Sequence, residues 1–139
     1  SHTDLSYIMV VGDSDISFKL LDSNGNVVGE SSEQESIVDP ENAENKNEPI
    51  SILYTPKPAT GNYELIVSGN ADKISKISTY LYDLDGNPFI VETTYLGNNS
   101  YTISFYKNDN SQGTVDKKVT FESVIADIKT LDKNEKQPQ

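Results

Sequence analysis

Ile16-Ser17-Phe18-Lys19-Leu20-Leu21-Asp22-Ser23-Asn24-Gly25-Asn26 reads as a strand running into a turn, and the chain uses the same phrase again 61 residues later, as Ile77-Ser78-Thr79-Tyr80-Leu81-Tyr82-Asp83-Leu84-Asp85-Gly86-Asn87. In the first copy Ile16, Phe18 and Leu20 alternate with Ser17 and Lys19, the period of a half-buried strand. Each copy ends in Asp-x-x-Gly-Asn. Asn and Gly tolerate positive φ there, and Asp accepts nearby backbone N–H bonds. Another apolar stretch follows each turn, so both copies read as hairpins. The repetition has two open readings: an old duplication, or two hairpins obeying the same turn rules.

Further short extended segments lie on either side. Leu5 to Val11 reads as a first strand, and Ile50 to Thr55 as another with Ile50, Ile52 and Tyr54 on one face. Pro56-Lys57-Pro58-Ala59-Thr60-Gly61 cannot sit in a central strand and makes a loop. Tyr63 to Ser68, Ile74 to Tyr82, Phe89 to Tyr95 and Tyr101 to Tyr106 follow. In the last of these Tyr101, Ile103 and Phe105 face in, while Thr102 and Ser104 face out. Turns every 8–12 residues or so predict an all-β, immunoglobulin-like antiparallel β-sandwich of seven to eight strands over residues 1–118. The period then changes. Phe121, Val124, Ile125, Ile128 and Leu131 form one apolar stripe, which predicts a short C-terminal helix followed by a polar tail over 119–139, the start of a linker or next module. A strand at Lys118 to Phe121 feeding a shorter helix fits equally.

Composition narrows the function classes. The chain has 139 residues and a net charge of −11; all eleven cations are Lys. Such a chain repels nucleic acid and anionic membrane surfaces, and it lacks the guanidinium that grips phosphate bidentately. There is no Cys, which removes disulfides, thiolate nucleophiles and Cys-ligated zinc. Its absence is compatible with secretion from Gram-positive bacteria. Tyr7-Ile8-Met9-Val10-Val11 is strand-length, far short of the ~20 apolar residues that span a bilayer, so no membrane insertion is expected. Glu30 to Glu48 carries seven acidic residues against the single Lys46 and reads as a long surface loop. The abrupt opening at Ser1-His2, read as a cloning remnant, and the polar ending lead us to expect a piece of a longer protein.

Candidate chemistry is sparse. The only histidine is His2, near a terminus, so neither a Ser-His-Asp triad nor a histidine metal cluster is expected. The acids sit mainly in loops and at turn corners, as a solvated face does, rather than as paired carboxylates for glycoside hydrolysis. Calcium has a better case. Asp22, Asn24 and Asn26, and again Asp83, Asp85 and Asn87, place side-chain oxygens at positions 1, 3 and 5 of each turn, as a hard cation requires. Position 12 is Glu33 after the first turn, which matches a calcium loop, and Thr94 after the second, which does not. The flanks are strands, and an ordinary hairpin turn uses the same residues, so both readings stand. The acidic segment could supply further ligands. Among eight tyrosines, Tyr80, Tyr82 and Tyr106 fall opposite the expected core and are the candidates for stacking on a sugar ring, against the alternative of cross-strand packing. Asn98-Asn99-Ser100 fits the glycosylation triplet.

Two stretches carry a resemblance: Leu20 to Gly29 (LLDSNGNVVG), and Ile52 to Gly69 with its Pro58-x-x-Gly61-x-Tyr63-x-Leu65-x-Val67-x-Gly69 pattern. They resemble accessory β-sandwiches of bacterial secreted proteins and the signature of pre-peptidase C-terminal sandwiches. Phe121 to Ile128 is similar to the first helix of a small module that can follow them. The resemblance covers most of residues 5–128 and departs from the pattern at the acidic segment. It implies a non-catalytic extracellular module, secreted or on the cell surface, that acts as a spacer, adhesion or protein-interaction domain. Its partners would be neighbouring domains of the same chain, often von Willebrand factor A-type or hydrolase domains, with a protein or glycan ligand. A carbohydrate-binding module and a calcium-stabilised sandwich are the alternatives.

Overall fold

The computed structural model describes residues 3–35, 49–69, 74–96 and 98–117. Ten strands occur among them: β1 (Tyr7–Asp13), β2 (Ser17–Leu21), β3 (Val27–Glu30), β4 (Ser32–Glu35), β5 (Pro49–Pro56), β6 (Gly61–Ser68), β7 (Ile74–Tyr82), β8 (Pro88–Leu96), β9 (Asn99–Phe105) and β10 (Thr114–Lys117). They form two five-stranded antiparallel sheets. Sheet A has the order β4-β5-β1-β7-β8 and sheet B the order β10-β9-β6-β2-β3. The expected helix and tail, and the acidic segment beyond Glu35, lie outside the described residues.

The two quoted phrases become two hairpins of one geometry. Asp22 N–H donates to Asn26 O (2.8 Å) and Gly25 N–H to Asp22 O (3.0 Å); Asp83 N–H donates to Asn87 O (3.1 Å) and Gly86 N–H to Asp83 O (2.9 Å). Gly25 and Gly86 both sit at φ 83°, a left-handed conformation that glycine adopts without a Cβ penalty. One hairpin is an edge of sheet B, the other an edge of sheet A.

Alternation puts one face of each strand into the layer between the sheets. Ile8, Val10, Leu53, Ile77 and Leu81 come from sheet A; Ile16, beside β2, and Phe18, Leu20, Tyr63, Leu65, Val67, Tyr101, Ile103 and Phe105 come from sheet B. The expected inward sets of β2 and β9 are therefore correct. In β5 the apolar set Ile50, Ile52 and Tyr54 points outward, and Ser51, Leu53 and Thr55 point in. The inner face tolerates the two hydroxyls because each finds a carbonyl. Ser51 Oγ donates to Ile16 O, and Thr55 Oγ1 donates to Val28 O at 3.1 Å.

Two expectations are corrected. The strands number ten rather than seven or eight among the described residues. Glu30 to Glu35 is also not loop: it ends β3 and forms β4, whose register with β5 runs from Ser32↔Ile52 to Glu35↔Pro49. Edge pairing needs only backbone groups, so four exposed polar side chains give no strand period to read.

Both hairpin turns, the Pro56–Gly61 loop and the start of the chain gather at one pole. Leu5 N–H donates to Leu84 O and Leu84 N–H to Lys107 O. Lys107 Nζ meets Asp4 Oδ2 at 2.9 Å. Ser6, through its hydroxyl and its N–H, and then Lys107 hold the Asp4 carboxyl down to about 2.

The parity of β5 has a direct check. Leu53→Ala should cost about 2–5 kcal/mol of unfolding free energy in urea titrations, the usual range for a fully buried leucine. Its neighbour Ile52→Ala should cost well under half as much. A larger loss at Ile52 than at Leu53 would mean the strand is turned the other way.

Candidate functional site

The outward face of sheet A is where the sequence leaves large side chains in water. The register aligns them in rows. Pro56, Tyr7, Tyr82 and Pro88 share one row; Tyr54, Met9, Tyr80 and Ile90 the next; Ile52, Val11, Ser78 and Glu92 the third. The first two rows hold no charge. Tyr54 is 54% exposed and Ile90 52%. Tyr7 lies between two aromatic neighbours: its ring centroid is 4.2 Å from that of Tyr82 at 17°, a stack, and 5.1 Å from that of Tyr54 at 48°. Three adjacent strands set this cluster about 10 Å wide.

The phenol groups converge as well as the rings. Burial first, then its hydrogen bond with Tyr82, pushes the Tyr7 phenol up to about 12, with Tyr82, Tyr54 and Tyr80 adding as charged neighbours. The neutral form is the one held. Its contribution is therefore complete below about pH 10, the unfolded value, and disappears as pH rises through about 12.

Of the three tyrosines expected to stack on sugar, Tyr80 and Tyr82 sit on this face, half-buried, and Tyr106 follows β9 in the other sheet, exposed. The structure thus joins two of them and separates the third. Tyr7 and Tyr54 complete the cluster. The signal for Tyr54 was its alternation with Ser51, Leu53 and Thr55, once the small polar side is taken as the inner one. Tyr7-Ile8-Met9-Val10-Val11 is apolar on both faces and carries no such signal.

Of the six calcium candidates, Asp22 and Asp83 accept backbone N–H groups of the other four. Asp22 Oδ1 accepts from Asn24 N–H and Asn26 N–H, both at 2.9 Å. Asp83 Oδ1 accepts from Asp85 N–H at 3.0 Å and Asn87 N–H at 2.9 Å. These bonds close the turns. Among the described residues no group of three or more His, Asp or Glu side chains is placed to hold a metal ion.

A cleft of about 510 Å³ opens at the turn pole between the Asp22 turn and the β5–β6 loop, lined by Asp22, Asn24, Pro56, Lys57, Asn62 and Tyr63 among others. Lys57 sits at φ 49°, with its N–H bonded to Ser6 O. Tyr63 OH donates to Ala59 O at 2.6 Å, which pins the loop, and burial followed by Asp22 raises its pKa. Asp22 is capped by its own turn.

Fold and face together define a two-sheet β-sandwich with a tyrosine-rich outer surface. No family model, no curated protein and no solved structure matches the chain.

Two measurements check this geometry. Carbon-13 NMR of the Tyr7 ring should show ionisation near pH 12, and Tyr82→Phe should bring it back toward 10; an unchanged value would break the hydrogen bond assigned between them. Asp83→Ala, which leaves two N–H groups unsatisfied at a position only 5% exposed, should cost about 1–3 kcal/mol. Asp22→Ala, in the more exposed turn, should cost less. Both losses should be the same in chelator and in millimolar calcium; a loss seen only with calcium would instead make the turns cation sites.

Proposed function

We propose that this chain is a non-catalytic, immunoglobulin-like accessory module of a larger bacterial secreted or surface protein, and that it binds protein through the outer face of sheet A. The observation that carries the reading is the uncharged cluster of Tyr7, Tyr54, Tyr80 and Tyr82 with Met9 and Ile90. Protein interfaces are enriched in tyrosine and methionine and depleted of charge at their centres. The ring geometry favours a protein over a sugar. A pyranose needs a bare aromatic face, whereas Tyr7 and Tyr82 cover each other's faces and offer ring edges and hydroxyls. The path of the chain also supports a connecting role: β1 starts at the turn pole, and β10 runs from Thr114 opposite Ser104 to Lys117 opposite Tyr101, toward the other pole.

Site-specific photo-crosslinking tests the reading. A photoreactive phenylalanine analogue is placed at Tyr54, at Tyr80 or at Val27, an exposed control in sheet B. Each protein is irradiated at the surface of the organism that makes it. One protein adduct, common to positions 54 and 80 and absent at 27, is the expected result. Polysaccharide adducts at 54 and 80 would transfer the face to the carbohydrate-binding reading, and equal labelling at all three would end both.

A further inference from the structure

The four edge strands of the sandwich differ in how far they resist pairing. An edge presents every second residue's N–H and C=O to solvent and is a template for another strand unless it is short, bulged or charged. β4 has four residues, and Glu33 and Glu35 lie opposite Ser51 and Pro49, on the inner side of sheet A, where an added strand would have to bury them. β3 has four residues, and its register with β2 shifts between Leu20 and Leu21. β10 has four residues and includes Asp116.

β8 is the least protected of the four. It is nine residues long, it ends sheet A, and its register with β7 runs unbroken from Ile74↔Leu96 to Tyr82↔Pro88. Its only charged residue is Glu92, whose carboxylate is 3.0 Å from Lys76 Nζ on β7. Among the described residues the 3₁₀ turn Asn110–Gln112 packs against β8, but no strand pairs with its outer edge.

We propose that β8 is a strand-addition site for an extended, neutral-to-basic peptide segment of another protein. The occupant's class follows from the chemistry of the edge. Backbone donors and acceptors that recur every two residues along a strand about 30 Å long are matched by another extended polypeptide, and neither a glycan nor a small molecule repeats them. The charge follows from the chain's −11, which repels acidic segments. The side-chain pattern follows from the neighbouring face. A strand added beside β8 would set alternate residues next to Ile90 and extend the Tyr54, Met9, Tyr80, Ile90 row by one apolar side chain. The proposal rests on the protein-binding reading of that face and adds the partner's conformation.

A phage-displayed random peptide library, selected on the full chain, tests it. The expected peptides alternate apolar and polar residues, carry Lys or Arg, and protect alternate backbone amides of β8 from hydrogen exchange. Proline at Thr93 or at Thr94 supplies the control. One of the two removes a bond to β7; the other removes only an outward donor. The variant that keeps the wild-type melting temperature should bind the peptides at least tenfold more weakly. Peptides without alternation, protection confined to another strand, or no enrichment would overturn the proposal. So would β8 protection that grows with protein concentration in the absence of peptide, which would make a second copy the occupant. Peptides lost with Tyr54→Ala but indifferent to both proline variants would leave the binding face standing and remove the edge from it.

Discussion

Every assignment in this molecule depends on a dry layer between two sheets roughly 10 Å apart. Side chains from β1, β5 and β7 meet those from β2, β6 and β9 there, and ten of the named aliphatic and aromatic residues, among them Leu53, Leu65, Ile103 and Phe105, are at most 1% exposed. A strand has only two faces. Once the layer claims one, the other is assigned to solvent without further choice. Tyr7, Tyr80 and Tyr82 are outside because Ile8, Leu81 and Thr79 are inside. The outer surface is thus a by-product of core parity, and what the chain places there is free to serve something other than folding.

The acids follow the same division. Asp22 and Asp83 cap the turns that close the edge hairpins, Asp4 ties the start of the chain to Lys107, and Glu92 pairs with Lys76. Only Asp83 among them is buried, and its carboxylate is bonded to two N–H groups, which is the condition under which a buried polar group is tolerable. These four carboxylates all lie away from the two uncharged tyrosine rows of sheet A.

Much of this was legible in the residues. The repeated Asp-x-x-Gly-Asn phrase determined both hairpins because its turn chemistry is local: a carboxylate two and four residues from the N–H groups it accepts, and a glycine where φ is positive. The inward sets of β2 and β9 were equally legible, since their apolar residues alternate cleanly. β5 showed Ile50, Ile52 and Tyr54 on one face but not the direction of that face: its inner side carries Leu53 between Ser51 and Thr55, whose hydroxyls reach carbonyls beside β2 and on β3, contacts distant in sequence. β4 was invisible for a different reason: its pairing uses backbone alone. Of the candidate binding face, Tyr80 and Tyr82 could be found from their own strand. Tyr7 joined them only through the β1–β7 register, which no local pattern encodes.

The tyrosine face has a purely structural explanation, and the geometry divides it. The inner side of β7 is only half apolar: Ser75 and Thr79 alternate with Ile77 and Leu81, and the Ser75 and Thr79 hydroxyls have no hydrogen-bond partner among the described residues. Each such group costs about 1–3 kcal/mol, so the inner side of β7 contributes less than a fully apolar one would. The Tyr7–Tyr82 stack joins β7 to β1 from the outside, and an aromatic pair of this kind contributes about 0.5–1.5 kcal/mol beyond its buried area. That is sufficient reason for those two rings. It does not extend to Tyr54 and Ile90, each more than half exposed, one on β5 and the other on the edge strand β8. Neither gains much from the fold by being large and apolar. They flank the structural pair on both sides and widen it into a surface across four strands, an arrangement that core packing alone does not require.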